Sequence, residues 1–168
     1  YSNSIAGTKY DWGVKNPIKN NNDNDKAGTW RTPTNAEWDY LFNTRNNASS
    51  LFGMARIGSV NGIVILPDNW RLPNGLSFNS GGSADAYSSY ETVNNYTLEA
   101  AGAVFLPIAG YRDGKSLVNM DITGFYWSST IHTQGQYGYC VVISASKINA
   151  KGACKIHQGL SVRLIKNL

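Results

Sequence analysis

Two histidines and two cysteines are the residues of this 168-residue chain best suited to chemistry at neutral pH. His132 and His157 have the right proton affinity for general acid–base work. A catalytic imidazole needs a carboxylate to orient it, and residues 122–168 contain no Asp or Glu. Both therefore read as surface polar residues. Cys140 and Cys154 stand fourteen apart, which is neither a Cys-x-x-Cys redox pair nor half of a zinc site. They flank a stretch that reads as a hairpin, and either a cross-strand disulfide or two buried thiols fits. Asn20-Asn21-Asn22-Asp23-Asn24-Asp25 offers oxygens for calcium but lacks the positional Gly and closing Glu of an EF-hand loop. It reads as a surface loop. No metal, no cofactor and no enzymatic activity is expected.

Lysine is the other group with chemical use. Residues 1–121 carry ten Lys or Arg against eleven Asp or Glu, whereas residues 122–168 carry Lys147, Lys151, Lys155, Arg163 and Lys166 with no acid. Such a segment attracts anionic partners, or its lysines keep a β edge soluble. The charges are too few and too dispersed for nucleic acid.

The elements that must position these groups are short. Charged residues make up 15% of the chain and hydrophobic ones 42%, with 19 Asn and 17 Gly. That composition suits many strands and turns. No apolar run is long enough to cross a membrane as a helix. The chain starts at Tyr1 without Met or a leader pattern, which predicts a piece of a longer precursor. Thr34-Asn35-Ala36-Glu37 is a capping box and opens an amphipathic helix over about 35–45. Residues 1–29 read as loop. Ala55–Val60 and Ile63–Leu66 flank Asn61-Gly62 and predict a hairpin turning there. Tyr90–Ala101 predicts a second helix with Gly102 as its C-cap. Strands are predicted at Ala103–Ile108, Gly124–Thr130, Tyr137–Ser144, Lys147–Lys155 and Leu160–Ile165, with a turn at Asp113-Gly114. The fold class is α+β: two helices plus a mostly antiparallel sheet of short strands, in one domain over residues 1–168.

Several segments resemble a known family. Trp30-Arg31-Thr32-Pro33-Thr34-Asn35-Ala36-Glu37-Trp38-Asp39-Tyr40-Leu41 is similar to the Arg-x-Pro-Thr-x-x-Glu-Trp-x-Tyr segment of formylglycine-generating-enzyme-like proteins, a branch of the C-type lectin-like fold. Gly124-Phe125-Tyr126-Trp127-Ser128-Ser129-Thr130 resembles the Gly-Tyr-Trp-Ser-Ser strand of that branch, and Gly159–Ile165 its closing Gly-Phe-x-x-Arg strand. Leu66–Trp70 and Ala101–Arg112 also resemble surface proteins of gut Bacteroidetes that carry this domain. The resemblance spans about 11–165 and implies a C-type lectin-like fold, displayed at a bacterial cell surface or secreted. It implies that Trp30, Trp38 and Trp127 are core, and that Arg31 and Arg163 bond carbonyls or carboxylates inside the fold.

The resemblance covers a fold with several uses, and fold alone does not assign function. The closely spaced cysteines of the copper-dependent enzymes are missing. So are the Glu-Pro-Asn or Gln-Pro-Asp and Trp-Asn-Asp motifs of calcium-dependent lectins; Leu66-Pro67-Asp68-Asn69-Trp70 reads instead as a turn closed by Asp68, with Trp70 in the core. What remains is recognition of a protein or glycan through a C-terminal hairpin face, as in the variable proteins of diversity-generating retroelements. The candidate contacts are Ile131, His132, Thr133, Gln134, Gln136, Tyr137, Lys147, Asn149, Lys151, Lys155, His157 and Gln158. Adenine-directed variation of AAY codons cannot encode Lys or Gln, so those residues are not products of such variation. The alternative function is a structural or assembly module, such as a pilus tip.

Overall fold

The computed structural model describes residues 5–17, 26–76, 78–80, 88–90, 97–144 and 146–166. Segment 20–25 and the span 91–96 of the expected second helix lie outside them. The first ordered turn corrects the reading of 1–29 as loop. Helix α1 (Trp12–Lys15) follows Asp11. The Asp11 carboxylate is buried and accepts from the Thr32 amide (3.1 and 2.9 Å) and hydroxyl (3.0 Å). Gly13 sits so tightly on the Trp30 carbonyl that a β-carbon would lie 2.5 Å from it. A buried carboxylate with hydrogen bonds of this kind anchors a segment that composition alone marks as loop.

Strand β1 (Trp30–Arg31) leads into helix α2 (Asn35–Asp39). The capping box forms: Thr34 Oγ1 accepts from the Glu37 amide and Glu37 accepts from the Thr34 amide. The expected helix over 35–45 is shorter. Its last turn, Tyr40–Thr44, widens to a π-turn, and Arg45 leaves in extended conformation. A 3₁₀ turn (Ala48–Ser50) then enters β2 (Phe52–Ile57) and β3 (Val60–Ile65). Their hairpin turns at Gly58-Ser59, not at Asn61-Gly62. Gly58 has φ +59° in the first central position, as a type II′ turn requires. Gly62 lies inside the strand, where a β-carbon would come within 2.3 Å of the Phe105 ring. The turn dipeptide is spent on a close approach.

Strand β4 (Ser88–Tyr90) pairs in parallel with β2 and replaces the expected helical start at Tyr90. Residues 97–100 are helical. They end as anticipated: Gly102 has φ +93°, its amide bonds the Glu99 carbonyl and the Ala103 amide bonds the Leu98 carbonyl. Strand β5 (Val104–Pro107) completes a sheet of order β4-β2-β3-β5. Both faces of this sheet are covered. Met54, Ile63 and Ile65 join one core cluster, and Ala55, Val64 and Leu66 the other. That explains the uninterrupted apolar run Ile63–Leu66, which alternation rules do not expect of a half-exposed strand.

Strands β6 (Tyr111–Asp113) and β7 (Ser116–Val118) make a hairpin whose turn is Gly114-Lys115, one residue beyond the expected Asp113-Gly114. Strands β8 (Thr123–Ile131), β9 (Tyr137–Ser144) and β10 (Lys147–Lys155) form an antiparallel sheet of order β10-β9-β8. Of the expected Leu160–Ile165 strand only β11 (Ile165–Lys166) is regular, and it pairs with β1. Gly159 and Ser161 make isolated bridges to Arg112 and Tyr126. The architecture is thus α+β with few helices and mostly antiparallel sheets.

Trp38, 2% exposed, is the centre of the first core, against Phe42, Tyr126, Val141, Ile143 and Ala150. Its burial stabilises the fold by about 2–3 kcal/mol. Trp30 and Trp127 are only half-buried, a correction to their reading as core. Trp127 lies across Gly138, where no β-carbon intervenes. Trp70 is half-buried against the second cluster.

Candidate functional site

The β8–β9–β10 sheet is held onto α2 by its irregularities. Five residues of β8, from Trp127 to Ile131, span three of β9, from Cys140 to Gly138. The freed groups turn to the start of α2: the Ser129 amide donates to the Pro33 carbonyl (2.8 Å), Thr130 Oγ1 accepts from the Asn35 amide (3.0 Å), and the Trp127 carbonyl accepts from Trp38 Nε1 (3.2 Å). The Trp-Ser-Ser-Thr segment is therefore a docking edge for the helix.

A second irregularity decides which candidate residues meet. Asn149 pairs with Val142 but Gly152 pairs with Cys140, so β10 carries one extra residue between them. Residues directly opposite one another point to the same side of a sheet. Lys147 and Asn149 therefore share the side of Phe125 and Val142. Past the bulge, Ala153 and Lys155 share the side of Tyr139 and Tyr137, which is the side that faces α2 nearer the core. Lys151 lies in the bulge, and its Nζ reaches Asp39 Oδ2 of α2 at 3.1 Å. A hydrogen bond from Asn43 Nδ2 (2.8 Å), with Lys151 second, holds the Asp39 carboxyl below its usual range. The Asn149 side chain closes the bulge by accepting from the Lys151 amide at 3.0 Å.

The twelve candidates thus divide. Lys147 lies at the far end of β10, where Ser144 Oγ and the Lys147 backbone close a tight turn. By strand rise it is about 26 Å from Lys155. His157 and Gln158 follow β10 and lie beside the β6–β7 hairpin: His157 Nε2 is 3.9 Å from Asp113 Oδ1, and Gln158 Oε1 accepts from the Lys155 amide at 3.1 Å. A carboxylate distant in sequence thus approaches His157, at a distance beyond a hydrogen bond. Thr133, Gln134 and Gln136 are exposed on the β8–β9 turn, and Ile131, half-buried, ends β8.

His132 and Tyr137 come together, with Lys155 directly across from Tyr137. His132 lies 4.7 Å from Tyr139 and 6.2 Å from Tyr137, ring centroid to centroid. All three are half-buried. The imidazole is oriented by its Nδ1, which accepts from the Gln134 amide at 3.1 Å. Tyr139 is absent from the candidates read off the sequence, although its two-residue spacing from Tyr137 places both on one side of a strand. The result is a ledge. Where the sheet runs past α2, its inner side presents two phenols, one imidazole and the flat Ala153, with Lys155 at the margin. Rings held this way stack on sugar C–H faces or apolar side chains, and the hydroxyls and ammonium groups add polar contacts.

Cys140 and Cys154 are bonded as a disulfide, which settles the two alternatives. It crosses from β9 to β10 beneath Trp127 and Gly138. Arg31 meets its expectation: both Nη1 (2.7 Å) and Nη2 donate to the Glu37 carboxylate. That pairing holds Glu37 down to about 2. Arg163 does not; it is exposed and makes no hydrogen bond or ion pair among the described residues. The internal role falls to Arg45, which donates to the carbonyls of Leu66 (2.7 Å) and Leu51 (2.9 Å) and to Asp68 Oδ1 (3.1 Å). Asp68, expected to close its own turn, is exposed and instead accepts from Tyr40 Oη at 2.5 Å.

Among the described residues no three His, Cys, Asp or Glu side chains converge, and no helix is long and apolar enough to cross a membrane. Comparison with protein-family models, curated proteins and solved structures yields no match.

Proposed function

We propose that this chain is a non-enzymatic binding module, displayed at a bacterial cell surface or secreted, that grips a protein or glycan with the ledge at the end of its C-terminal hairpin. The observation that carries the reading is the trio His132, Tyr137 and Tyr139, half-buried on paired strands beside Lys155. Side chains already held by packing lose little entropy when a partner arrives. The Cys140–Cys154 bond suits an oxidising, extracytoplasmic setting. The motif resemblance to C-type lectin-like surface proteins supports the same class, with no nucleic acid and no cofactor in the role.

The test is a glycan and surface-protein array probed with wild type, Tyr139→Ala and the pair Lys151→Glu/Lys155→Glu. Wild type is expected to bind a restricted set of partners. Tyr139→Ala should weaken that binding about tenfold, in line with loss of one aromatic anchor, with near-native circular dichroism. Equal binding by all three proteins removes the ledge from consideration.

A further inference from the structure

We infer that a cleft on another part of the molecule, between α2 and the segment leading into β11, is a binding site for a molecule with an apolar body and a single carboxylate. The cleft has a volume of about 400 Å³, within the roughly 300–1,000 Å³ of small-molecule pockets. Its wall is apolar, with Trp38, Leu41, Val104 and Leu164. Its polar groups are few and of mixed use.

Asp68 and Tyr40 at the rim satisfy one another, and Asp68 also takes Arg45. Arg45 lines the same cleft with a side chain only 1% exposed, and its Nε is buried without a partner among the described residues. An orphaned buried donor is costly and calls for an acceptor. Lys166, also lining the cleft, stands over the Trp30 ring at 6.0 Å. Arg163 is the cation left over: it lines the cleft, is exposed, and holds no acceptor among the described residues. Among the described residues of the lining, Asp68 is taken by Arg45, and Arg163 adds a positive charge with no carboxylate of its own. The surplus favours an anion, and a planar guanidinium takes a carboxylate through two parallel hydrogen bonds. The apolar wall beside it selects against a bare inorganic ion. This site shares no residue with the hairpin ledge and stands or falls separately from it.

The experiment is a titration of ¹⁵N-labelled full chain with 4-phenylbutyrate and its uncharged isostere 4-phenylbutanamide. Each is added to wild type and to Arg163→Gln, a position whose native side chain makes no hydrogen bond or ion pair among the described residues. The acid should move the amide resonances of Leu41, Val104 and Leu164 saturably. The uncharged compound should bind about tenfold more weakly to wild type. Arg163→Gln should bring the acid to the level of the amide and leave the amide unchanged. A tripeptide Gly-Gly-Phe with a free C-terminus, against its C-terminal amide, distinguishes the source of the carboxylate. Tighter binding of the free-acid peptide than of phenylbutyrate assigns a polypeptide C-terminus, and the reverse order a free organic acid. The proposal is overturned if no saturable shift appears at those amides, if acid and amide bind wild type equally, or if the preference for the acid survives Arg163→Gln.

Discussion

Arg31 and Arg45 stand before and after the helical segment 35–44, and their surroundings set them to different tasks. Arg31 closes a surface fork on Glu37, which also caps α2. Its carboxyl is held at about 2 against an ordinary value near 4.5, chiefly by that fork. The folded-state value is depressed, so the stabilisation is present above about pH 4.5 and is lost as pH falls toward 2. Melting temperatures between pH 6 and pH 2.5 should fall for wild type. Glu37→Gln should be less stable by about 1 kcal/mol at pH 6 and show a flatter decline. A Glu37→Gln profile parallel to wild type would sink this assignment. Arg45 instead supplies a donor to the Leu66 carbonyl and a second one to the Leu51 carbonyl, which also accepts from the Leu66 amide. Arg45→Leu should cost about 1–3 kcal/mol by urea denaturation, because the Leu66 carbonyl loses its donor while the Leu51 carbonyl keeps the Leu66 amide. A cost below about 0.5 kcal/mol would show that water replaces it.

At the scale of elements, period-two patterning located β9 and β10 to the residue, and the capping box located the start of α2. Local chemistry was legible wherever it acts locally. What stayed hidden depends on distant neighbours. Asn61-Gly62 has the best turn chemistry in its region, yet Gly62 is required where Phe105 crosses it, and the turn moves to Gly58. The bulge at Asn149/Gly152 leaves the alternation of β10 intact in sequence while moving its outward residues to the other side of the sheet. That is why twelve candidates read as one face are divided by the structure. Arg163 and Arg45 show the same limit: a motif position does not say which guanidinium will find carbonyls. A direct comparison follows for the two glycines. Gly62→Ala places a methyl within 2.6 Å of the Leu106 carbonyl as well as on the Phe105 ring. It should cost about 1–3 kcal/mol. Gly58→Ala meets open space and carries only the strain of its positive φ, about 1–2 kcal/mol. Calorimetry finding Gly58→Ala clearly the worse of the two would reverse the account of this hairpin.

For the whole molecule, β10 is the outer strand of its sheet. It carries Lys147, Lys151 and Lys155 at four-residue intervals, and unpaired edges with such charges resist pairing with other chains. Guarding the edge is separable from the partner contact proposed above. Replacing all three by Thr should keep the fold but produce concentration-dependent association, visible by light scattering at neutral pH. A triple variant that stays monomeric at high concentration removes the guarding role.

The disulfide has a consequence for that same edge. Copies of a protein often exchange a terminal or edge strand when their hinges open. Here Cys154, near the end of the outer strand, is fastened to Cys140 on its own neighbour. The strand cannot be lent to a second molecule while that bond stands. A protease cut within residues 141–153 would leave both pieces on one tether, so a single nick there would not release either half of the chain.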